Sequence, residues 1–525
     1  MGDRGKQVVQ SLNRFSLLFI LLGAVYVSLV SSPGGITRTW NEEGEEFACI
    51  TQAISLANDG DLDLRNQGFP PRQFGRSIIP HSLGTSILML PFYLLGTPVA
   101  QLLATLSHSA YNPFDPIFFS LLGAGMILYF FLAGAALLKT GEREWGPEPT
   151  LAAVVLIWWG TFLPFYAFRR PFLSHVPDVF LSSLLVCFCL ALPRKQVLRR
   201  RDIVLLGIIS GGTLLVRWQN LNLFCLGMAM GTAQIFSGKP MRGRFPRISY
   251  LLLLGGTALS LLFLTQGLAW EYYQGRFLPP PGEWLSAPAL IQGENYLPKA
   301  RGLGENLQNL GHMLWGKDWG LAWSAFPFLA GLLGCLFFPP LEIIRGQGKC
   351  LLNRLFLFLV IAFPFAAVLS NREQGASLGY RHLSGIFPLA AAGLAGALAK
   401  FENNGGIRKL VWLGGSAAIL LSLMIAVPFR RSPDTDLSPG WTPLGGYGST
   451  NNHYLLQATK AWQMAFSGQG GEILSYGYLG WLRNDPGPAG ITPEPEVEWL
   501  YPIAALILVG VAYLAIRRQV TKTAA

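Results

Sequence analysis

Long apolar runs separated by short polar segments are the feature that most constrains this chain. The run at 117–138 (IFFSLLGAGMILYFFLAGAALL) carries no charged residue and is as long as the roughly 20-residue helix that crosses a bilayer. Of the 525 residues only 13% are charged, about half the fraction usual in soluble domains, and the mean hydropathy is +0.38. These values exclude a soluble multidomain fold, and the sequence predicts an all-α polytopic membrane protein.

Clusters of basic residues predict which side of the membrane each loop faces, because Lys and Arg are enriched in cytoplasmic loops. Such clusters occur at the N-terminus, at 194–201, 239–247, 345–354 and 400–409, and at the C-terminus. They all face the cytoplasm if four of the five apolar runs that precede 194–201 cross the membrane. The run 83–100 is the one that we predict not to span, as an interfacial or re-entrant helix, because Pro91 and Pro98 are expected to break it.

This reasoning predicts about twelve transmembrane helices, with both termini in the cytoplasm. Their approximate bounds are 15–31, 117–138, 150–168, 173–192, 203–217, 219–236, 248–269, 321–340, 355–370, 383–400, 410–427 and 499–516. The chain then divides into a transmembrane core at 1–427 that includes outer loops 32–116 and 270–320, a non-cytoplasmic loop or small cap at 428–498, and a final span with a cytoplasmic tail at 499–525. Because the cytoplasmic loops are short, we expect any chemistry on the outer side.

An acidic motif follows the first predicted span. The segment NEEGEEF at 41–47 places four carboxylates within five residues, just before a predicted helix. Crowded carboxylates raise one another's pKa, and the N-terminal dipole of a helix favours anions. A carboxylate of raised pKa in a fixed position suits a general base for an acceptor hydroxyl. The alternative, which the spacing alone favours, is a solvated acidic helix start.

Cationic and polar side chains recur at the predicted outer boundary of the membrane. They are His81 before the run 83–100, Arg169, Arg170, His175 and Asp178 in the second outer turn, Arg217 at the end of a span, and Tyr380, Arg381 and His382 before a later span. A single arginine at this level is usually an anchor that snorkels to the interface, whereas several together can bind a phosphate bidentately. Few other charges fall inside the predicted spans, which favours a surface site over a transport pathway.

These segments, taken in order, resemble the GT-C superfamily of membrane glycosyltransferases, which includes the protein O-mannosyltransferases and the lipid A aminoarabinose transferases. NEEGEEF…SLANDGDLDL resembles the acidic motif of the family, HSLGTSILMLPFYLLG its proline-ended interfacial segment, and LSHVPDVF its second outer loop. GLAWSAFPFLAGLLG and LGYRHLSGIFPLAAAG resemble later helices. The Asp-Glu pair of the family is here Asn41-Glu42-Glu43, followed by Glu45-Glu46, so that more than one carboxylate aligns, and its usual tyrosine is Phe47.

The resemblance implies a hexosyl- or pentosyltransferase that moves a sugar from a polyprenyl-phosphate-linked donor to an acceptor hydroxyl at the outer face of the membrane. It assigns catalysis to Glu43 or Glu46 together with Asp178, which would hold the acceptor or the donor sugar. The donor phosphate would be bound by Arg217, Arg381, Arg169 and Arg170. Further substrate contacts would come from Glu42, His81, His175, Tyr380 and His382.

The expected partners are the lipid-phosphate-linked sugar donor, membrane lipids and an acceptor that is a lipid, a glycan or a protein, and no nucleic acid is expected. No cofactor is firmly implied and no metal site is predicted, although a divalent metal stays open because some members of the superfamily use one. The layout fits a bacterial inner membrane with the site on the periplasmic side. Two other classes of function stay open, a carrier or flippase for a lipid-linked substrate and a non-catalytic membrane assembly subunit.

Overall fold

The computed structural model describes residues 3–29, 45–64, 83–108, 110–112, 116–237, 246–274, 277, 303–315, 320–340, 350–369, 381–402, 404–429 and 500–524. These residues form helices joined by short connections, and no β-strand occurs among them. Residues 430–499, which hold most of the predicted outer cap at 428–498, lie outside this set, as do 278–302 of loop 270–320.

The helices follow one another along the whole chain. They are α1 (Asp3–Leu29), α2 (Glu45–Asn58), α3 (Gly84–Leu106), α4 (Pro116–Trp145), α5 (Pro147–Trp159), α6 (Leu163–Phe168), α7 (His175–Ala191), α8 (Arg200–Val216), α9 (Leu221–Phe236), α10 (Arg247–Leu262), α11 (Leu268–Gln274), α12 (Leu303–Trp315), α13 (Leu321–Ser324), α14 (Phe326–Phe337), α15 (Cys350–Leu369), α16 (Phe387–Lys400), α17 (Gly405–Phe429) and α18 (Leu500–Ala524). A π-helical turn, Phe263–Gly267, joins α10 to α11, and 3₁₀ turns at Trp218–Asn220 and Arg381–Ile386 precede α9 and α16.

Seven helical segments within the described residues are long and apolar enough to cross a membrane. They are Val9–Val27, Gly84–Leu106, Ile117–Trp145, His175–Arg194, Arg247–Tyr272, His382–Lys400 and Pro502–Gln519. Shorter apolar helices lie at Leu221–Phe236, Phe326–Phe337, Asn353–Phe365 and Lys409–Met424. The prediction of a helical integral membrane protein is confirmed, whereas the predicted number of twelve spans is not.

Ion pairs identify one end of the helix bundle. Arg194, just after α7, pairs with Glu144 in the last turn of α4 at 2.5 Å, and Lys195 pairs with Asp202 in the first turn of α8 at 2.5 Å. The basic cluster 194–201 therefore lies at the same end as the C-terminus of α4. We call this the inner end, and the opposite end, where α4 begins, the outer end.

Aromatic rings pack α1 against α4 and α5 in the core of the bundle. Phe15 stacks on Phe131 with ring centroids 5.7 Å apart, and Phe19 meets Trp159 edge to face at 5.4 Å. All four rings are at most 2% exposed. Because offset and edge-to-face ring pairs add to the burial of apolar area, this layer fixes the register of α1 along α4.

The predicted span 150–168 is interrupted in the structure. Helix α5 ends at Trp159, and α6 starts after a turn at Gly160–Phe162. The break is tied to α1 and α17, because Ser422 donates a hydrogen bond to the carbonyl oxygen of Thr161 and also bonds the hydroxyl of Tyr26. A single straight helix is therefore the wrong description of this segment.

The prediction that prolines break the run 83–100 is also wrong. Helix α3 continues through Pro91 and Pro98 to Leu106, and it is one of the seven segments long enough to span. The two prolines are seven residues apart, about two helical turns, and both are exposed. Both proline rings therefore lie on an outward face of α3, and transmembrane helices tolerate proline through local adjustments of the backbone.

Contacts with α4 give the direction of α3. Tyr129 in the middle of α4 donates to the carbonyl of Leu88 at 3.0 Å, whereas Gly96 packs against Phe118 and Leu121 near the start of α4. Helix α3 therefore runs antiparallel to α4, and its first residues lie deeper in the bundle than its last ones. This arrangement departs from a helix lying flat in the interface.

Candidate active site

A cluster of buried polar side chains lies where several helices end or begin. The first turn of α7 supplies His175, Asp178 and Ser182, the end of α8 and the following 3₁₀ turn supply Arg217 and Asn220, and the 3₁₀ turn before α16 supplies His382 and Ser384. Of these seven only His382 is not fully buried. Phe180, two residues after Asp178, stacks on Tyr129 in the middle of α4 at 4.5 Å. The cluster is therefore level with the middle of α4.

Asp178 is the hydrogen-bond acceptor at the centre of this cluster and is 1% exposed. Its Oδ1 atom accepts from the amide of Asn220 at 2.6 Å and from the hydroxyl of Ser182 at 3.2 Å, and its Oδ2 atom accepts from Ser384 at 2.6 Å. Burying a carboxylate is costly unless such donors surround it. The carboxylate of Asp178 thereby ties α7 to both 3₁₀ turns.

Arg217 is held in the same cluster by two histidines. Its Nη2 atom donates to Nδ1 of His382 at 2.6 Å, and its Nη1 atom donates to Nδ1 of His175 and to Ser384. Arginine has no acceptor atom, so each imidazole must present a Nδ1 lone pair and carry its proton on Nε2. The ring of His175 also contacts that of Tyr166 in α6, with centroids 4.4 Å apart.

A glycine permits the close approach of the two 3₁₀ turns. A Cβ atom placed on Gly385 would lie 2.9 Å from Oδ1 of Asp178 and closer still to the side-chain oxygen of Asn220. Only a residue without a side chain fits this position. Ser384, whose hydroxyl bonds Asp178, is therefore positioned by the glycine that follows it.

The fold brings the start of α2 toward this cluster. Ala48, two residues after Glu46, packs in one buried apolar cluster with Leu83. A Cβ atom on the next residue, Gly84, would lie 2.6 Å from the backbone of Leu215 and Val216, directly before Arg217. The start of α3 thus lies between the acidic start of α2 and Arg217. These two parts of the chain are far apart in the sequence.

Two buried polar side chains mark the contact between α2 and α3. Ser86 donates to Oε1 of Gln52 at 2.7 Å, and Leu83 donates its N–H to Oε1 of Gln266 at 3.0 Å. These bonds fix the first turn of α3 against α2 and against the π-helical turn after α10. The two helices run parallel, since Asn58, further along α2, donates to the hydroxyl of Tyr93 further along α3 at 3.0 Å.

The structure places the remaining predicted site residues as follows. Arg169 and Arg170 occupy the turn between α6 and α7, and both are partly buried. Glu42, Glu43, His81 and Tyr380 lie outside the described residues, as do the side chains of Glu46 and Arg381.

Asn220, Ser384 and Ser182, which complete the shell around Asp178, were not predicted from the sequence. Short amide and hydroxyl side chains carry no periodic signal of their own. The available signal was the end of each apolar run, because a polar residue that follows directly on such a run marks a helix end where side chains converge. Asn220 after Arg217, and Ser384 after His382, stand at such breaks.

The described part of the cluster does not fit a divalent metal ion. The guanidinium of Arg217 lies between the two imidazoles, and each oxygen of Asp178 already accepts a hydrogen bond. A metal would need those Nδ1 and carboxylate lone pairs. Within the described residues no group of three or more His, Cys, Asp or Glu side chains is placed to hold a metal.

No protein-family model matches this chain, and no curated protein matches it. Solved structures of the oligosaccharyltransferase of Archaeoglobus fulgidus are similar to it. The archaeal oligosaccharyltransferase AglB in complex with an inhibitory peptide and a dolichol-phosphate is 14% identical with a TM-score of 0.38, and the match covers 80% of this chain and 55% of that chain.

Two further structures of the same archaeal enzyme give similar values. The complex with Zn and sulfate is 13% identical with a TM-score of 0.39, covering 83% of this chain and 54% of that one. The apo form is 14% identical with a TM-score of 0.39, covering 94% and 64%. This chain thus spans between 54% and 64% of the length of these structures. Such low TM-scores support no conclusion about activity, and the GT-C resemblance of the sequence stays a prediction.

Proposed function

We propose that this chain is a GT-C type glycosyltransferase of hexosyl or pentosyl specificity. It moves a sugar from a polyprenyl-phosphate-linked donor to an acceptor hydroxyl on a lipid, a glycan or a protein. The reaction takes place at the outer end of the bundle, on the periplasmic side of a bacterial inner membrane, with both termini in the cytoplasm.

The observation that carries this proposal is the approach of the acidic start of α2 to Arg217. Ala48 and Leu83 pack together, and Gly84 lies directly on the backbone before Arg217. The start of α2, which begins at Glu45, and a rigidly held guanidinium therefore lie in the same region of the fold. A general base and an anion-stabilising cation are the two groups that a single displacement at a phosphate-activated sugar needs.

In the proposed reaction the acceptor oxygen attacks the anomeric carbon of the donor sugar. The bond from this carbon to the phosphate oxygen breaks, and its electron pair leaves with the polyprenyl phosphate. Glu43, or else Glu46, takes the proton of the acceptor hydroxyl. Arg217, with Arg381, stabilises the charge on the departing phosphate, and Arg169 and Arg170 add to the positive field at this level.

In the proposed scheme Asp178 has a positioning role, which its hydrogen bonds support. Its carboxylate is saturated by Asn220, Ser182 and Ser384. Ser384 also accepts a hydrogen bond from Arg217 at 3.3 Å, so Asp178 orients the guanidinium through this hydroxyl. His175 and His382 complete the support of Arg217 and present their Nε2–H donors away from it.

The test is transfer from a panel of radiolabelled polyprenyl-phosphate sugars by the full chain, purified in lipid nanodiscs. Wild type is expected to transfer or hydrolyse one sugar. Glu43→Gln and Glu46→Gln are compared, and the variant that lacks the base should be at least about 10²-fold slower. Arg217→Lys, which keeps the charge but loses the bidentate fork, should be slower by about 10²-fold as well.

Two controls accompany these variants. Glu45→Gln removes a neighbouring carboxylate, and Arg201→Lys changes an exposed arginine at the inner end, so both should keep wild-type rates. Folding is checked by size-exclusion chromatography and thermal unfolding. Binding of the donor lipids by wild type without transfer or hydrolysis, with and without divalent metal and extracted acceptors, would contradict the proposal.

A carrier for a lipid-linked substrate is the second candidate, and the burial of two ionisable groups favours it. Asp178 is 1% and Arg217 is 6% exposed, and ionisable residues buried inside membrane helices often mark a transport pathway. Reconstituted vesicles distinguish the two functions. A carrier moves the intact lipid between leaflets without consuming it, whereas the transferase releases polyprenyl phosphate.

A further inference from the structure

A cavity lined by charged and apolar side chains lies near the inner end of the bundle, on the side opposite to the proposed active site. It has a volume of about 440 Å³ and is lined by Arg14, Glu148, Leu151, Lys409 and Trp412. These residues come from three helices, α1, α5 and α17, of which α1 contains one of the seven segments long enough to span. Two cations, one carboxylate and two apolar side chains form its wall.

Most of the residues that line the cavity lie near the inner ends of their helices. Glu148 lies in the first turn of α5, which begins two residues after the inner end of α4. Arg14, by contrast, lies inside the apolar segment Val9–Val27 of α1. A charge at that depth is costly unless it reaches an anionic partner at the interface, and Trp412, which is 37% exposed, is of the residue type enriched at this level.

The charge pattern of the cavity selects the chemistry of its ligand. Arg14 and Lys409 can bind one phosphodiester, Arg through its planar fork and Lys as a point charge. Helices α5 and α17 both begin at this end, and their positive N-terminal dipoles add to that attraction. Glu148 would repel a second anionic group but can bind an ammonium. Leu151 and the Trp412 ring supply apolar surface for the start of an acyl chain.

We propose that this cavity binds the headgroup of a membrane phospholipid that carries both a phosphodiester and a primary amine. Arg14 and Lys409 bind the phosphate, and Glu148 binds the amine. Basic cavities between transmembrane helices on the cytoplasmic side are suited to phospholipid headgroups, and the carboxylate makes this one selective for the amine-bearing type. The site is independent of the proposed transferase activity, since it involves other residues at the other end of the bundle.

The test is native mass spectrometry of the purified full chain, equilibrated in detergent with equal amounts of phosphatidylethanolamine, phosphatidylglycerol and phosphatidylcholine. Wild type should retain phosphatidylethanolamine preferentially. The double variant Arg14→Ala/Lys409→Ala should lose this retention by roughly tenfold or more, because each cation near the membrane surface contributes about fivefold to phosphate binding. Glu148→Gln should shift the preference toward phosphatidylglycerol.

The matched control is Arg201→Ala/Lys400→Ala, which also removes one arginine and one lysine near the inner end, both exposed and outside the cavity. Its retention of phosphatidylethanolamine should equal that of wild type. Added phosphatidylethanolamine should raise the thermal unfolding temperature of wild type and of the control but not of the cavity variant, and a cooperative unfolding transition of the cavity variant shows that it is folded. Equal retention by all three proteins, or a preference of wild type for phosphatidylglycerol or phosphatidylcholine, would overturn the proposal.

Discussion

Arg217 donates a hydrogen bond from Nη2 to Nδ1 of His382 at 2.6 Å. Because a guanidinium cannot accept a hydrogen bond, this contact requires the neutral imidazole with its proton on Nε2. The two residues come from different 3₁₀ junctions, one after α8 and one before α16. Their contact therefore fixes both the position of the arginine and the tautomer of the histidine.

The first prediction concerns this tautomer. In protein with ¹⁵N-labelled histidine at pH 7.5, the resonances of His382 should have the chemical shifts of an Nε2–H imidazole. His382→Gln assigns the signal among the six histidines. In Arg217→Lys the acceptor requirement at Nδ1 is relaxed, and the signal should change. A Nδ1–H tautomer or an imidazolium in wild type would show that the contact does not exist in this form.

The second prediction concerns Gly385. Gly385→Ala places a methyl group 2.9 Å from the Asp178 carboxylate and against the side chain of Asn220, and overpacking of this kind costs about 1–3 kcal/mol. The free energy of unfolding should fall by that amount, and transferase activity should fall with it because Ser384 moves away from Arg217. Gly256→Ala is the matched control.

No atom lies within 4 Å of a Cβ at position 256, so that variant adds a methyl group to a helix without a clash. It should leave the free energy of unfolding unchanged or raise it by up to about 1 kcal/mol, because alanine is the better helix former. Equal stability of the variants at 385 and 256 in thermal unfolding would contradict the packing around Asp178.

The third prediction concerns the contact between α3 and α8. A Cβ on Gly84 would lie 2.6 Å from backbone atoms of Leu215 and Val216, and a backbone cannot rotate away as a side chain can. Gly84→Ala should therefore push α3 away from α8 and displace Arg217, with activity reduced at least about tenfold. Gly96→Ala, in the same helix, meets the side chains of Phe118 and Leu121 at 3.0 Å.

Those side chains can change rotamer, so the variant at 96 should keep most of the activity. Both rates are measured with the lipid-linked donor that wild type accepts, next to thermal unfolding of each protein. A larger loss of activity at 96 than at 84 would contradict the close contact between the start of α3 and the residues before Arg217.

The sequence predicted the long apolar elements and part of the cluster. The run 117–138 lies within α4. Asp178, Arg217, His175 and His382 were predicted at the outer boundary of the membrane, and the structure brings these four residues together. It succeeded because charged and imidazole side chains at the ends of apolar runs are rare enough to be informative. The contacts between Asp178 and its three uncharged donors could not be predicted, because they join residues from distant parts of the chain.

The errors of the sequence analysis have a common physical cause. Pro91 and Pro98 were expected to end a helix, yet both lie on the exposed face of α3, where a missing backbone donor disturbs no packing. Conversely, the break at Gly160 falls inside an apolar run without any charged residue. Whether a helix continues past a proline or a glycine depends on which face of the helix that residue occupies. The buried face is set by the neighbouring helices rather than by the local sequence.

The last prediction concerns this break between α5 and α6. Ser422 of α17 donates to the carbonyl of Thr161, and since its only proton is used there, it accepts from the hydroxyl of Tyr26 at 2.9 Å. Ser422→Ala leaves both buried groups without this partner and should lower the free energy of unfolding by about 1–3 kcal/mol. Tyr26→Phe removes only the donor to Ser422 and keeps the bond to Thr161, so its cost should be smaller, about 1 kcal/mol.

In the double variant the two losses should be less than additive, because the residues share one hydrogen-bond chain. Thermal unfolding of the four proteins in the same detergent measures this cycle. Strict additivity would show that Ser422 does not connect Tyr26 to the interrupted helix, and α1 and α17 would then hold the break by apolar packing alone.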